Sequence, residues 1–329
     1  MLFRSKPLFL FANDGDFGYG HFPLDAASRR HALDHPELLR DDLLRSLVHE
    51  SLWNAVRDAE LDPARYVELV LAQLPRERNE ILATTMLARL RAAVDRYLGE
   101  ARRAALAPRI EEFLFSQMQS ATSNSRRIAC FRAFADLARS ERGRARVKDL
   151  LAGRIEVPGI RLASRDRYRL LQTLIAAADD DAGQLLEQQS AADTSNEGRR
   201  YSFAAAAAMP DAATKRALFA RFLDDPRLPE AWIEEALGPF NTLSHAALTA
   251  PLLEQALAAL PRIRRERRIF FVNDWLDGFI GGQTSRGSLE VVERFLSSNR
   301  IEQDLRLKIL EAVDTLERTV RVRERFDPR

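Results

Sequence analysis

Ile81-Leu82-Ala83-Thr84-Thr85-Met86-Leu87-Ala88-Arg89-Leu90-Arg91-Ala92-Ala93-Val94-Asp95-Arg96-Tyr97-Leu98 is the stretch that decides the fold class. Leu82, Met86, Leu90 and Val94 stand four apart, the spacing of one helix face, so a helix is expected over Ile81–Leu98. Upstream, Asp62-Pro63 starts a helix with Tyr66, Val67, Val70, Leu71 and Leu74 inward, closed by Pro75. Before that, Pro36 suits a first helical turn, and Leu39, Leu43, Leu47, Val48, Leu52 and Val56 mark an apolar stripe.

The same texture runs downstream. Helices are expected over Ala101–Met118, Ser125–Ala138, Arg144–Leu151, Arg165–Ala178, Ala182–Ser190, Glu197–Ala208 and Ala212–Leu223. Glu230–Leu237, Ala250–Leu260, Arg265–Phe279, Leu289–Leu296 and Ile301–Arg323 complete the chain, with a turn at Val157-Pro158-Gly159. Roughly fifteen helices with short connections must pack as antiparallel neighbours. No long apolar strand pattern exists for a central sheet. Each helix pair has one apolar stripe to bury on the next, and this favours an all-α, HEAT- or armadillo-like α-superhelix of antiparallel helix pairs with a concave surface. No clean sequence period is visible, so the repeats are degenerate.

The totals agree with that reading. Of 329 residues, 46% are apolar and 30% charged, enough to build a core and too well mixed for disorder. Fifty basic residues face 48 acidic ones, and the net charge of +2 gives no concentrated basic face for nucleic acid. No run reaches membrane-spanning length. The single cysteine, Cys130, excludes an intrachain disulfide and reads as a small buried hydrophobe; a reducing, cytoplasmic setting is permitted.

Residues 7–24 differ from the rest. Arg4 and Lys6 precede Leu8-Phe9-Leu10-Phe11-Ala12, which superficially resembles a signal peptide, but the apolar run is too short and ends in Asn13-Asp14-Gly15-Asp16. A short strand ending in a turn is expected there. Residues 1–24 therefore read as a junction and linker, and 25–329 as the helical domain.

Several stretches together resemble one family. Asn13-Asp14-Gly15-Asp16-Phe17-Gly18-Tyr19, followed by Phe22-Pro23-Leu24-Asp25, is similar to the junction in aminopeptidase N relatives where the last β-domain hands over to a helical domain. Arg45–Leu61 with its Leu52-Trp53 pair resembles the long helix that follows, and Glu77, Glu80 and Leu90–Leu98 fit the next one. Ala208-Met209-Pro210-Asp211 with Lys215 and Phe219, Leu248-Thr249-Ala250-Pro251, Phe271–Phe279, and Leu305–Arg318 with Glu311 and Asp314 continue the match. The resemblance covers nearly the whole chain. Asn13, Gly18 and Tyr19 are its junction residues.

The resemblance implies a parent zinc aminopeptidase that removes N-terminal residues from peptides. In such enzymes zinc is held by H-E-x-x-H and a later glutamate, a tyrosine stabilises the oxyanion, and a Gly-x-Met-Glu-Asn loop captures the free amine. None of these motifs occurs in this chain. The implied role is that of the non-catalytic C-terminal domain, which walls the substrate chamber and restricts peptide access. Its implied partners are the catalytic domain of the same polypeptide and peptide substrates. Zinc is expected in the catalytic domain and no cofactor in this chain.

His49-Glu50-Ser51-Leu52-Trp53 approaches H-E-x-x-H, but tryptophan cannot take the second ligand position; Trp53 is expected in the core. His31-Ala32-Leu33-Asp34-His35 has histidines four apart, yet Pro36 disfavours helical geometry at His35, and a solvated connector is expected. His21 and His245 read as loop or capping residues, and Ser244-His245 offers no third partner. Asp179-Asp180-Asp181 reads as a helix start. Arg262, Arg264, Arg265, Arg267 and Arg268 form the densest basic cluster; Arg264, Arg265 and Arg268 are candidates for a substrate-carboxylate or domain contact. Gly278-Phe279-Ile280-Gly281-Gly282-Gln283-Thr284-Ser285 lacks the ending of a phosphate loop and reads as a flexible linker. No catalytic or metal-binding residue is expected in this chain. The alternatives are a free-standing HEAT-like scaffold for a protein partner, and a small metal-dependent hydrolase using His31 and His35.

Overall fold

A computed structural model describes residues 7–327, apart from the side chain of Ile269. Arg4 and Lys6 lie outside the described residues. The chain is all-α: among the described residues there is no sheet, and an isolated bridge between Val157 and Ile160 is what the Val157-Pro158-Gly159 turn leaves of strand geometry.

Helices α1 (Ala26–Asp34), α2 (Asp42–Arg57), α3 (Pro63–Gln73) and α4 (Glu80–Ala92) come first, and a π turn, Ala93–Tyr97, extends α4. Then follow α5 (Glu100–Ser120), α6 (Asn124–Leu137), α7 (Glu141–Leu151), α8 (Ser164–Ala176), α9 (Ala182–Ala192), α10 (Asn196–Ala206), α11 (Ala212–Asp224) and α12 (Glu230–Phe240). The last are α13 (Ala246–Thr249), α14 (Leu253–Ala258), α15 (Leu260–Glu266), α16 (Ile269–Phe279), α17 (Arg286–Ser298) and α18 (Gln303–Phe326).

Their starts share a device the sequence reading did not resolve. Asp41, Ser123, Ser140 and Ser195 each accept the backbone N–H three residues on, the usual N-cap bond. In each, the arginine four residues after the cap folds back onto a carbonyl just before it: Arg45 to Arg40, Arg127 to Ala121, Arg144 to Arg139 and Arg199 to Thr194. The degenerate repeats therefore carry a common signature at their helix starts, with the cap serine or aspartate and an arginine on the fifth position.

Four expectations need correction. Leu8–Ala12 forms no strand, because a strand needs a partner and the described residues offer none; the Leu10 N–H donates to Ser28 Oγ instead. His31 lies on α1 and is no connector residue, since Asp25 caps that helix through two backbone N–H groups and Pro36 acts only beyond its end. Pro36 opens a 3-10 turn, Pro36–Leu38, and the long helix begins at Asp42, which leaves Leu43 exposed and puts His49 on the buried face. Arg265–Phe279 is two helices, since Arg267 and Arg268 take extended backbone angles between α15 and α16.

The chain divides into two compact units. The first comprises residues up to Arg103, Phe113–Ala133 and the chain from Arg321 onward; the second comprises Ala104–Glu112 and Phe134–Val320. In the first, α2 packs on α3 and α3 on α4, burying Val48, Leu52, Tyr66, Val70, Leu82, Met86, Leu90 and Val94. The chain end closes this unit: Arg323 Nε donates to the Arg96 carbonyl at 2.7 Å, and Asp327 accepts the Gly99 N–H at 2.7 Å.

In the second unit α8, α10, α12 and α16 pack one after another, while α9 lies on α8 and α10 and α17 lies on α14. This is the serial stacking expected of helical repeats. Phe219, Phe222, Phe240, Trp275 and Phe279 meet in its core, with Trp275 and Phe279 ring centroids 4.4 Å apart. Trp275 satisfies its indole N–H on the Ala256 carbonyl at 3.0 Å.

Candidate functional site

The junction segment is held by its polar residues. Asn13 donates through Nδ2 to Asp16 Oδ1 at 3.0 Å and to the Gly18 carbonyl at 3.2 Å, and its Oδ1 accepts the Gly18 N–H at 2.8 Å. Gly15 (φ 79°) takes the left-handed conformation that glycine adopts without penalty. Gly18 is needed for space, since a Cβ there would lie 2.7 Å from the Phe22 ring and 3.1 Å from Asn13 Oδ1. Further along, Ser51 accepts the Leu24 N–H and donates to the Phe22 carbonyl, which ties the segment to α2.

That pinned loop displays its apolar side chains outward. Phe17 is 95% exposed and Tyr19 fully so, and Leu8 and Leu10 are exposed beside them in sequence. Burying large aromatics is worth a few kcal/mol each, so these exposed side chains leave that stabilisation unused within the described residues. Of the three junction residues named from sequence, Asn13 and Gly18 shape the loop and Tyr19 is presented by it.

The arginine cluster is mostly occupied. Arg264 pairs with Glu302 and Asp304 at the start of α18, and Arg268 reaches Glu230 at 2.6 Å and Glu234 at 3.3 Å on α12. Arg262 reaches Asp224 at 3.1 Å at the end of α11, and the Arg267 guanidinium sits 5.5 Å over the Phe271 ring. Arg265 is exposed. The break between α15 and α16 fans these side chains toward three neighbouring helices, so they do not form one anion-binding face. Such exposed pairs contribute little to stability, because solvent screens them.

The other candidates resolve individually. His49 is buried, with Nε2 at 2.5 Å from Gln73 Oε1; Glu50 pairs with Arg89; and Trp53 is half-buried against Tyr66 and Tyr97. Burial pushes the His49 imidazole down to about 4. The His31 and His35 rings lie 5.0 Å apart, and His35 Nδ1 is 3.6 Å from Glu37. Among the described residues no group of three or more His, Cys, Asp or Glu side chains is placed to hold one metal ion. Burial pushes the Cys130 thiol up to about 12, which keeps it protonated and unreactive. Asp179 draws in Arg144 and Lys148, both at 3.1 Å, and Asp181 precedes α9 without a side-chain cap bond.

The glycine-rich stretch corrects its expectation. It is a packed turn and no flexible linker: a Cβ at Gly282 would strike the Gly278 carbonyl and lie 2.7 Å from Asn241 Cβ. Gln283 is buried there, donating to Thr249 Oγ1 and accepting from Ser288 Oγ, both at 3.0 Å. Sequence chemistry also missed what Lys215 does. Its fully buried ammonium donates at 2.6 Å to the carbonyls of Ala207 and Phe240, at the ends of α10 and α12, and lies 4.8 Å over the Phe240 ring. Only the Pro-Asp…Lys…aromatic resemblance had pointed to it.

Serially packed helices and a pinned junction loop with exposed apolar side chains define a helical-repeat domain. The chain belongs to the ERAP1-like C-terminal domain family, whose model matches residues 9–318. It is similar to Aminopeptidase N of Streptomyces lividans, 26% identical over 320 residues that cover 97% of this chain. The chain spans 37% of the length of that relative. No helix among the described residues is long and apolar enough to cross a membrane.

Proposed function

We propose that this chain serves as the non-catalytic C-terminal domain of a zinc metallo-aminopeptidase, walling its substrate chamber and restricting which peptides reach the metal. The observation that carries the reading is the family match over residues 9–318, joined to a relative named as an aminopeptidase of which this chain spans only 37%. The hydrolytic chemistry and the zinc belong on this reading to the remaining part of the polypeptide, which is also the partner that covers Phe17 and Tyr19. Peptides are the substrates it screens. A reducing cytoplasm suits a chain whose one cysteine is a buried thiol.

The test has two arms. The purified chain is expected to bind no stoichiometric zinc and to leave aminoacyl amides uncleaved; turnover lost on His31→Ala would overturn the reading. Phe17→Ser with Tyr19→Ser is expected to weaken association with the catalytic portion about ten-fold or more, the loss expected of aromatic anchors at a protein interface. Unchanged association would remove the junction loop from the interface.

A further inference from the structure

We propose that His49 is an acid-sensitive latch on the packing of α2 against α3, so that protonating its ring opens this helix pair ahead of the rest of the fold. The inference stands apart from the aminopeptidase reading.

It rests on what surrounds the two ring nitrogens. His49 is 1% exposed, and its ring meets Tyr66 of α3 edge-on with centroids 6.1 Å apart. Nε2 lies 2.5 Å from Gln73 Oε1, also on α3; an amide oxygen only accepts, so Nε2 carries the proton. Nδ1 is buried with no hydrogen-bond partner. The neutral tautomer therefore leaves a buried acceptor, and the imidazolium would place a charged donor where nothing accepts it.

The charged neighbours do not rescue that charge. Arg45 and Glu50 lie on α2 itself, Glu77 follows α3, and Arg89 comes from α4. Arg45 forms two hydrogen bonds with Glu77, and Arg89 pairs with Glu50, so both carboxylates are already matched. The two guanidiniums oppose an imidazolium and Glu77 favours it. The Tyr66 phenol, pushed up to about 12 by burial, stays neutral.

The sign follows from linkage. The folded imidazole titrates near 4 and the free one near 6.5, so between these values the open form binds the extra proton. The opening equilibrium of α2–α3 then rises about ten-fold per pH unit as pH falls from 6.5 toward 4, and levels off below. Hydrogen exchange of the whole chain, corrected for intrinsic rates, reads this directly. Amides of α2 and α3 are expected to lose protection with that slope, earlier than those of α10 and α12, and His49→Gln is expected to remove the slope while its amide keeps a donor for Gln73. An equal slope in His49→Gln, or equal loss over all helices, would overturn the latch. Should that variant not fold, an NMR titration of the wild-type ring decides: a His49 that stays neutral until α2–α3 opens supports the latch, and one that titrates near 6.5 in the folded protein refutes it.

Discussion

Lys215 puts an ammonium in the core with two helix-end carbonyls for company, and burial pushes it down to about 8. The carbonyl ends of α10 and α12 carry the negative poles of their helices, which favours a cation there. The cost is desolvation of the charge. Because the folded value lies below that of the unfolded chain, the unfolded state binds more protons between pH 8 and 10.5, and stability gained at this site rises with pH across that window. The stability difference between wild type and Lys215→Met should therefore grow in favour of wild type by up to about 3 kcal/mol from pH 8 to 10.5. Urea denaturation of both proteins at several pH values checks this; a flat difference would mean that the folded amine keeps its proton as long as the unfolded one does, so that burial does not lower it. Sequence alone could not show Lys215 as buried, since a lysine at that spacing ordinarily lies on a solvated face.

At the scale of an element, the start of α7 shows how one helix is fixed by another. Glu111, on α5, accepts the N–H groups of Arg139 and Ser140 at 2.7 and 2.9 Å and the Ser140 hydroxyl, supplying a carboxylate at the positive end of α7. Gly143 is the space that admits it, because a Cβ there would collide with the Glu111 carboxylate. Gly143→Ala and Glu111→Ala should each cost about 1–3 kcal/mol. The double variant should cost much less than their sum, since the clash and the lost cap are one interaction. Additive losses in urea unfolding would contradict that coupling. Asp193 does the same for α10, bonding Ser195, with Gly198 making the room.

These elements also show what was legible beforehand. The four-residue stripe of α4 was, because Leu82, Met86, Leu90 and Val94 have no competing pattern and all are buried. The start of α2 was not: Pro36 is equally good as the opening of a 3-10 turn, and only the Asp41 side chain bonded to Leu44 distinguishes the true start. The break at Arg267–Arg268 has no glycine or proline to announce it. Gly281 and Gly282 misled because glycine serves loose loops and close backbone contact alike, and only the neighbours decide. Of the residues singled out from sequence, Asn13 and Gly18 are bonded to each other within the junction loop and Tyr19 is exposed on it, while Arg264 and Arg268 are engaged within the fold.

For the molecule as a whole, the helices spend their polar groups on one another. Arg45 with Glu77, Arg102 with Asp62, and Arg169 with Asp136 are interhelical pairs whose partners lie 32, 40 and 33 residues apart. On the function proposed above, these cross-braced helices would act by restricting which peptides gain access. The most direct measurement compares an aminopeptidase polypeptide containing this chain with the same polypeptide lacking residues 25–329, on a short aminoacyl amide and on long peptides. The account predicts that both cleave the amide and that only the complete polypeptide discriminates among peptides by length. Equal discrimination in the shortened polypeptide would contradict it.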